Sequence, residues 1–334
     1  MKIGLHLHPD RGIAAVFEEA RLADEQGFDS MWMSDHLMGT TRATERPDQP
    51  LDVFTLMTAL GGRTRNIRLA WSTLNISPHY PAVLAKQVAT LDVITGGRVI
   101  ASLGSGWFRE ELTAYNVPMI YDHDERSAYC RELIELWQKL WTTPAPAVTS
   151  YEGKQIQVKD LPFNPVPIQK PHPPIWMGGD SPPTMAMVKE LCDGWVPWAT
   201  NTKEHFKRVL GAPDWPRRHI DISRGTSIFV NTNGDAAVAE ARSAFEAAVK
   251  GRASRQMQNN YPIRTWPETW EEFEASEVIG TPDDCLAQIA EIESWGVTQL
   301  RVGFSTLEAQ ERAANLLLPR LAQRRGADQT TVAR

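Results

Sequence analysis

Residues 2–36, KIGLHLHPDRGIAAVFEEARLADEQGFDSMWMSDH, decide the fold. Lys2 to His8 reads as a short strand. The turn Pro9-Asp10-Arg11-Gly12 then opens an amphipathic helix whose apolar positions are Ala14, Phe17, Ala20, Leu22 and Ala23. Gly27 stops that helix, and Phe28 to Met33 forms a second strand that ends in Ser34-Asp35-His36. Strand, helix, glycine and strand make one βα unit and the start of the next.

The same alternation continues along the chain. A helix over 51–60 precedes a strand over 65–73; a helix over 81–94, closed by Gly96-Gly97, precedes a strand over 98–104. A long helix follows from about 124 to 140. Further strands are expected at 174–179, 194–198, 221–231 and 299–304, with helices around 234–250, 282–295 and 308–323. Eight strands alternating with helices imply a closed parallel sheet, a (β/α)₈ TIM barrel with insertion segments. Residues 142–173 interrupt the pattern with seven prolines and read as an insertion, since βα units resume straight afterwards. Residues 251–280 are poorly patterned and are either an active-site lid or surface packing. One barrel domain over 1–325 and a polar tail over 326–334 account for the chain.

Composition narrows the function classes. The 334 residues are 42% hydrophobic and 23% charged with net charge −6, and the basic residues are scattered, so no nucleic-acid footprint is expected. No apolar stretch is long enough to span a bilayer and no secretory signal opens the chain, which points to a cytoplasmic protein without a membrane partner. Cys130, Cys192 and Cys285 are far apart, odd in number and outside any metal spacing. Neither a disulfide framework nor a zinc site is expected.

In a (β/α)₈ barrel the C-terminal strand ends face the ligand, and that rule selects candidates. Asp35 and His36 follow the second strand, and an imidazole there suits hydrogen bonding or proton transfer near neutral pH; a packed or capping histidine is the bland alternative. Trp71, Ser72, Thr73 and Asn75 follow the third. Gly104-Ser105-Gly106-Trp107 after the fourth lacks the third glycine and later acid of a dinucleotide fingerprint, but lets a backbone pass close to a flat ring. Gly178-Gly179-Asp180-Ser181 runs into a proline-initiated helix and could hold a phosphate, or Ser181 could be simply an N-cap. Trp71, His79, Trp195, Trp198 and Arg301 are the candidate substrate contacts, with Trp71, Trp107, Trp195 and Trp198 as a dry wall. A rival from another class is a metal-dependent barrel hydrolase, because His6 and His8 alternate around Leu7 and would both face the barrel interior.

Several stretches together resemble the bacterial luciferase-like family of FMN-dependent monooxygenases and F420-dependent oxidoreductases. They are EQGFDSMW at 25–32 leading to Ser34-Asp35-His36, PAVLAKQVATLDVITGG at 81–97 followed by Arg98, LGSGWFREEL at 103–112, Glu132 to Trp141, PPIWMGGDSP at 173–182, and Gly280-Thr281-Pro282-Asp283 with Trp295-Gly296-Val297. The resemblance implies a barrel, usually dimeric, that binds FMN or F420 at the strand C-termini. His36 with Asp35 would lie near the reactive ring as the catalytic pair. Ser72, Thr73 and Asn75 would sit behind the ring, where family members often carry a non-proline cis peptide or a bulge. Gly104, Gly106 and Trp107 would flank it, while Gly178, Gly179, Asp180 and Ser181 would hold the ribityl phosphate. No basic run for the polyglutamate tail of F420 is visible, which favours FMN. The leading expectation is a two-component monooxygenase: a partner flavin reductase supplies FMNH₂, and O₂ and a small organic substrate are consumed. The alternatives are F420-dependent hydride transfer on the same face, a non-catalytic flavin carrier, and the His6/His8 hydrolase. Substrate choice is expected to reside in the loops, 142–173 and 251–280.

Overall fold

The computed structural model describes residues 1–7, 12–38, 51–197, 202–255 and 267–332, with side chains described outside 250–255 and 325–332. The strands in chain order are β1 (Lys2–His6), β2 (Ser30–Met33), β3 (Arg68–Trp71), β4 (Leu74–Asn75), β5 (Val99–Gly104), β6 (Thr149–Glu152), β7 (Gln157–Leu161), β8 (Ile175–Gly178), β9 (Gly194–Val196), β10 (Asp221–Val230), β11 (Val278–Gly280) and β12 (Gln299–Gly303). The helices that matter below are α1 (Ile13–Gln26), α2 (Val53–Gly61), α3 (Pro81–Thr95), α4 (Arg109–Ala114), α5 (His123–Thr142), α6 (Pro182–Glu190), α7 (Lys203–Leu210), α8 (Gly234–Arg255), α9 (Trp270–Ser276), α10 (Pro282–Ser294) and α11 (Leu307–Val332).

Eight parallel strands close into a barrel in the order β1, β2, β3, β5, β8, β9, β10, β12, with β12 paired back to β1. The expected barrel is therefore present. Strand β10 overshoots the barrel, and its last three residues pair with β11. Within 142–173 the chain forms an antiparallel hairpin of β6 and β7. Its turn is held by Glu132 of α5, which accepts from the amides of Lys154, Gln155 and Ile156 at 3.0, 2.9 and 2.8 Å. Within 251–280 lie α9 and β11; residues 256–266 fall outside the described residues, as does any lid made of them. Trp270 and Phe273 of α9 pack on Phe245 of α8.

Side chains alternate between the two faces of each strand, so every barrel strand feeds two cores. Outward residues such as Met31, Leu69, Val99, Leu103 and Met177 join the helices in the large outer core. Inward, Trp32, Ala70, Ile100, Trp176 and Val196 form a separate buried cluster that plugs the barrel. The indoles of Trp32 and Trp176 meet at 5.4 Å. Such bulk fits only because small residues stand opposite. A Cβ on Gly194 would fall well inside contact distance of three atoms of the Trp176 ring, and one on Gly4 would lie 2.6 Å from Ser30 Oγ and from Trp32 Nε1. Below the indoles, Ser30 Oγ accepts from Trp32 Nε1 at 2.8 Å and from Gln299 Nε2, which satisfies polar groups in a dry interior. Gly194→Ala is expected to destabilise the fold by about 2 kcal/mol through overpacking, read as a lower denaturant midpoint at unchanged slope.

Candidate active site

The C-terminal strand ends bring most of the expected residues into one neighbourhood. His36 leaves β2 and packs edge-on against Trp107 at 5.7 Å and Phe108 at 6.0 Å, rings that are themselves stacked 5.1 Å apart. Its Nδ1 faces Glu111 Oε1 at 3.2 Å and Oε2 at 3.3 Å. Glu111 is 1% exposed, and it also accepts from the amides of Leu37 at 2.9 Å and Met38 at 3.5 Å. A carboxylate at Nδ1 makes that nitrogen the donor and leaves Nε2 as the ring nitrogen without a partner among the described residues.

Glu111 was not among the expected residues; the carboxylate expected at that strand end is its neighbour Glu110, which is exposed. The short α4 starts just after Phe108, and the first turn of a helix puts Glu111 on the face that looks back at β2.

Asp35 turns the other way and accepts from the Asn75 amide at 2.9 Å. Burial pushes its carboxyl up to about 7; the Asn75 amide opposes the shift, Asp52 adds to it, His36 opposes it and Glu111 adds a little. A carboxyl held high stabilises the fold fully below its unfolded value and loses that contribution as pH rises through the folded value. Wild type is therefore expected to lose about 1–2 kcal/mol relative to Asp35→Asn between pH of about 4 and about 7, measured by parallel denaturant titrations. Equal pH profiles would refute the assignment. The imidazole of His79 is held below its usual range by burial, against an opposing pull from Asp52.

The segment after β3 forms the floor of this region. The Ser72–Thr73 peptide is cis. Thr73 is clamped between two glycines: a Cβ on Gly104 would strike its Oγ1, and one on Gly178 would lie 2.6 Å from its Cγ2. Asn75 Oδ1 accepts from the Ser77 amide at 3.1 Å, and both residues lie against Gly106, where a Cβ would meet Asn75 Oδ1 and Ser77 Oγ at 2.6 Å. Bare backbone at 104, 106 and 178 is thus what lets Thr73, Asn75 and Ser77 pack directly onto the ends of β5 and β8.

The β8–α6 turn offers hydroxyls more than amides. Ser181 caps α6, with its Oγ 3.0 Å from Thr184 Oγ1 and 3.4 Å from the Thr184 amide. Pro182 and Pro183 carry no N–H, and the Gly179 amide is already given to Val196 O at 3.0 Å. Donors for a phosphate here are therefore the Ser181 and Thr184 hydroxyls and the Ser181 amide. The Asp180 carboxylate stands 3.7 Å from His205 Nε2 of α7, an imidazole that burial holds below its usual range. His205 was not among the sequence candidates.

Two expected substrate contacts are corrected. Trp71 and Trp195 are fully buried on the outward faces of β3 and β9. Trp71 stacks on Phe54 of α2 at 5.4 Å; Trp195 packs on His205, Phe206 and Trp215 and donates to Gly179 O at 2.8 Å. Strand parity points both away from the mouth. Trp198 and His8 lie outside the described residues, so the wall role of one and the metal role of the other cannot be placed. Among the described residues no group of three or more His, Cys, Asp or Glu is arranged to hold a metal ion. The three cysteines are buried, and burial pushes Cys130 and Cys285 up to about 12 and Cys192 higher still, so none offers a thiolate at neutral pH. Among the described residues no helix is long and apolar enough to cross a membrane.

Fold and site together define a (β/α)₈ barrel with a carboxylate-paired histidine and glycine-bearing strand ends at its C-terminal face. The model of the luciferase-like monooxygenase family matches residues 1–299, and the chain belongs to that family of flavin-dependent oxidoreductases. It is 28% identical over 307 residues to the FMNH₂-dependent dimethylsulfone monooxygenase of Pseudomonas putida, covering 85% of this chain and 81% of that one. It is 26% identical over 333 residues to the 5,10-methylenetetrahydromethanopterin reductase of Archaeoglobus fulgidus, covering 91% and 93%. The crystal structure of monooxygenase RslO1 from Streptomyces bottropensis superposes with a TM-score of 0.74 at 24% identity over 96% of this chain and all of that one.

Proposed function

We propose that this protein is the oxygenase component of a two-component monooxygenase: it takes FMNH₂ from a partner flavin reductase and uses O₂ to oxidise a small organic substrate. The observation that carries this reading is the pairing of His36 with buried Glu111 beside Trp107, at the strand ends where Thr73 and Asn75 pack on the bare backbone of Gly104, Gly106 and Gly178. When bound, the reduced flavin supplies the electrons and the reactivity toward oxygen. The chain's residues do the rest. Thr73 and Asn75 back the ring, Trp107 and Phe108 close one side against water, and Ser181 with Thr184 takes the phosphate. Glu111 holds Nδ1 of His36, so that Nε2 can give or take a proton at the reacting centre. The single barrel domain over 1–325 works in the cytoplasm as a homodimer.

F420-dependent hydride transfer is the second reading, favoured by the methylenetetrahydromethanopterin reductase likeness. The two differ in their need for oxygen. With FMN, NADH and a flavin reductase, substrate screening should show oxygen uptake coupled to product; activity only with F420 under argon would replace the first reading by the second.

A further inference from the structure

Arg301 stands at an inward position of β12, and its register partners on both sides are glycines, Gly4 on β1 and Gly225 on β10. With no side chain on either neighbour, the guanidinium is free to cross the barrel. It lies 5.6 Å from the centre of the Trp32 ring and donates through Nη1 to Ser72 Oγ, at the cis peptide. Ser72 O in turn accepts from Ser34 Oγ at 3.3 Å, the residue before Asp35 and His36.

Among the described residues the charge has no counter-ion. Arg21, Arg131, Arg312 and Arg320 each pair with a carboxylate, whereas Arg301 meets none and its Nε has no hydrogen-bond partner among the described residues. There its one polar contact is a neutral hydroxyl. Burial alone brings its pKa down to about 10, which leaves it charged at neutral pH. An unpaired cation inside a barrel costs stability unless a ligand completes it, and a guanidinium is the side chain best shaped to grip an oxyanion through two N–H groups. The phosphate of the cofactor does not fill this place, because Ser181 and Thr184 lie at β8, three strands away around the barrel.

We propose that Arg301 is the substrate-recognition residue and that the substrate carries an anionic oxygen group, a carboxylate, sulfinate or sulfonate, seated on its guanidinium between Ser72 and Gly225. This deepens the monooxygenase reading by naming a substrate class, and it rests on that reading for the chemistry done to the substrate. The binding claim stands apart from it.

Two probes of nearly equal shape separate charge from fit. Full-length protein is titrated calorimetrically with methanesulfonate and with dimethyl sulfone, as wild type, Arg301→Lys and Arg301→Gln, each checked for an unchanged melting profile. Wild type should bind the anion at least about 10-fold more tightly than the neutral sulfone. Arg301→Gln should abolish that preference and Arg301→Lys should retain part of it. Equal binding of the two probes by wild type, or a preference unchanged in Arg301→Gln, overturns the proposal. The same variants are titrated with FMNH₂ under argon. Weakening there with anion preference intact would assign the charge to the reduced ring and also overturn it. If wild type binds no flavin yet prefers the anion, the functional reading fails and the anion subsite stands.

Discussion

Replacing His36 with alanine should lower turnover by about two to four orders of magnitude, while affinity for the reduced cofactor shifts by less than about threefold. The reason lies in what surrounds the ring. Trp107 and Phe108 pack edge-on to the imidazole, Glu111 fixes Nδ1, and Nε2 has no partner among the described residues, so it can exchange a proton. Glu111→Gln keeps the shape but removes the charge that orders the imidazole and the amides of Leu37 and Met38. It should cost about 10- to 100-fold in turnover, and adding it to His36→Ala should cost almost nothing further, because residues acting as a unit are not additive. Single-turnover kinetics on the four proteins measures this. Independent losses would show that Glu111 acts on something other than His36.

A comparably large loss is expected from Gly178→Ala and Gly104→Ala, this time in binding. Either methyl drives Thr73 from its place, since the two glycines hold that side chain from opposite sides and neither leaves it a retreat. Displacing Thr73 should weaken the cofactor by at least about 100-fold, equivalent to about 3 kcal/mol, on top of an overpacking cost to the fold of about 2 kcal/mol, as at Gly194. Cofactor titration against the denaturation profile separates the two effects. A variant that binds as wild type would show that the ring does not lie against Thr73.

How far the sequence carried depends on which residues see each other only across strands. The βα alternation is local, so Lys2 to His36 was enough to reveal the barrel's repeating unit, and Gly27 and Gly96 do close helices in the left-handed conformation. Strand ends were equally legible: Thr73 packs between Gly104 and Gly178, and His36 lies against Trp107 of the loop that follows β5. Parity along a strand was readable but was not applied at Trp71 and Trp195, whose outward faces follow directly from counting alternate residues from Ala70 and Val196. Glu111 was hidden for a different reason: α4 has only six residues and no apolar periodicity to announce it. Its four-residue spacing from Trp107 was the available signal. Nothing local marks Arg301 as unpaired, because its glycine neighbours come from β1 and β10, nearly 300 and 80 residues away in the chain.

The central claim is that the strand ends carrying His36, Thr73, Gly104 and Gly178 hold a reduced flavin. Anaerobic fluorescence titration of the purified protein with FMNH₂ and, separately, with reduced F420 tests it directly. One equivalent of FMNH₂ should bind, with Gly178→Ala abolishing the binding and His36→Ala sparing it. Saturation by neither cofactor would contradict the account.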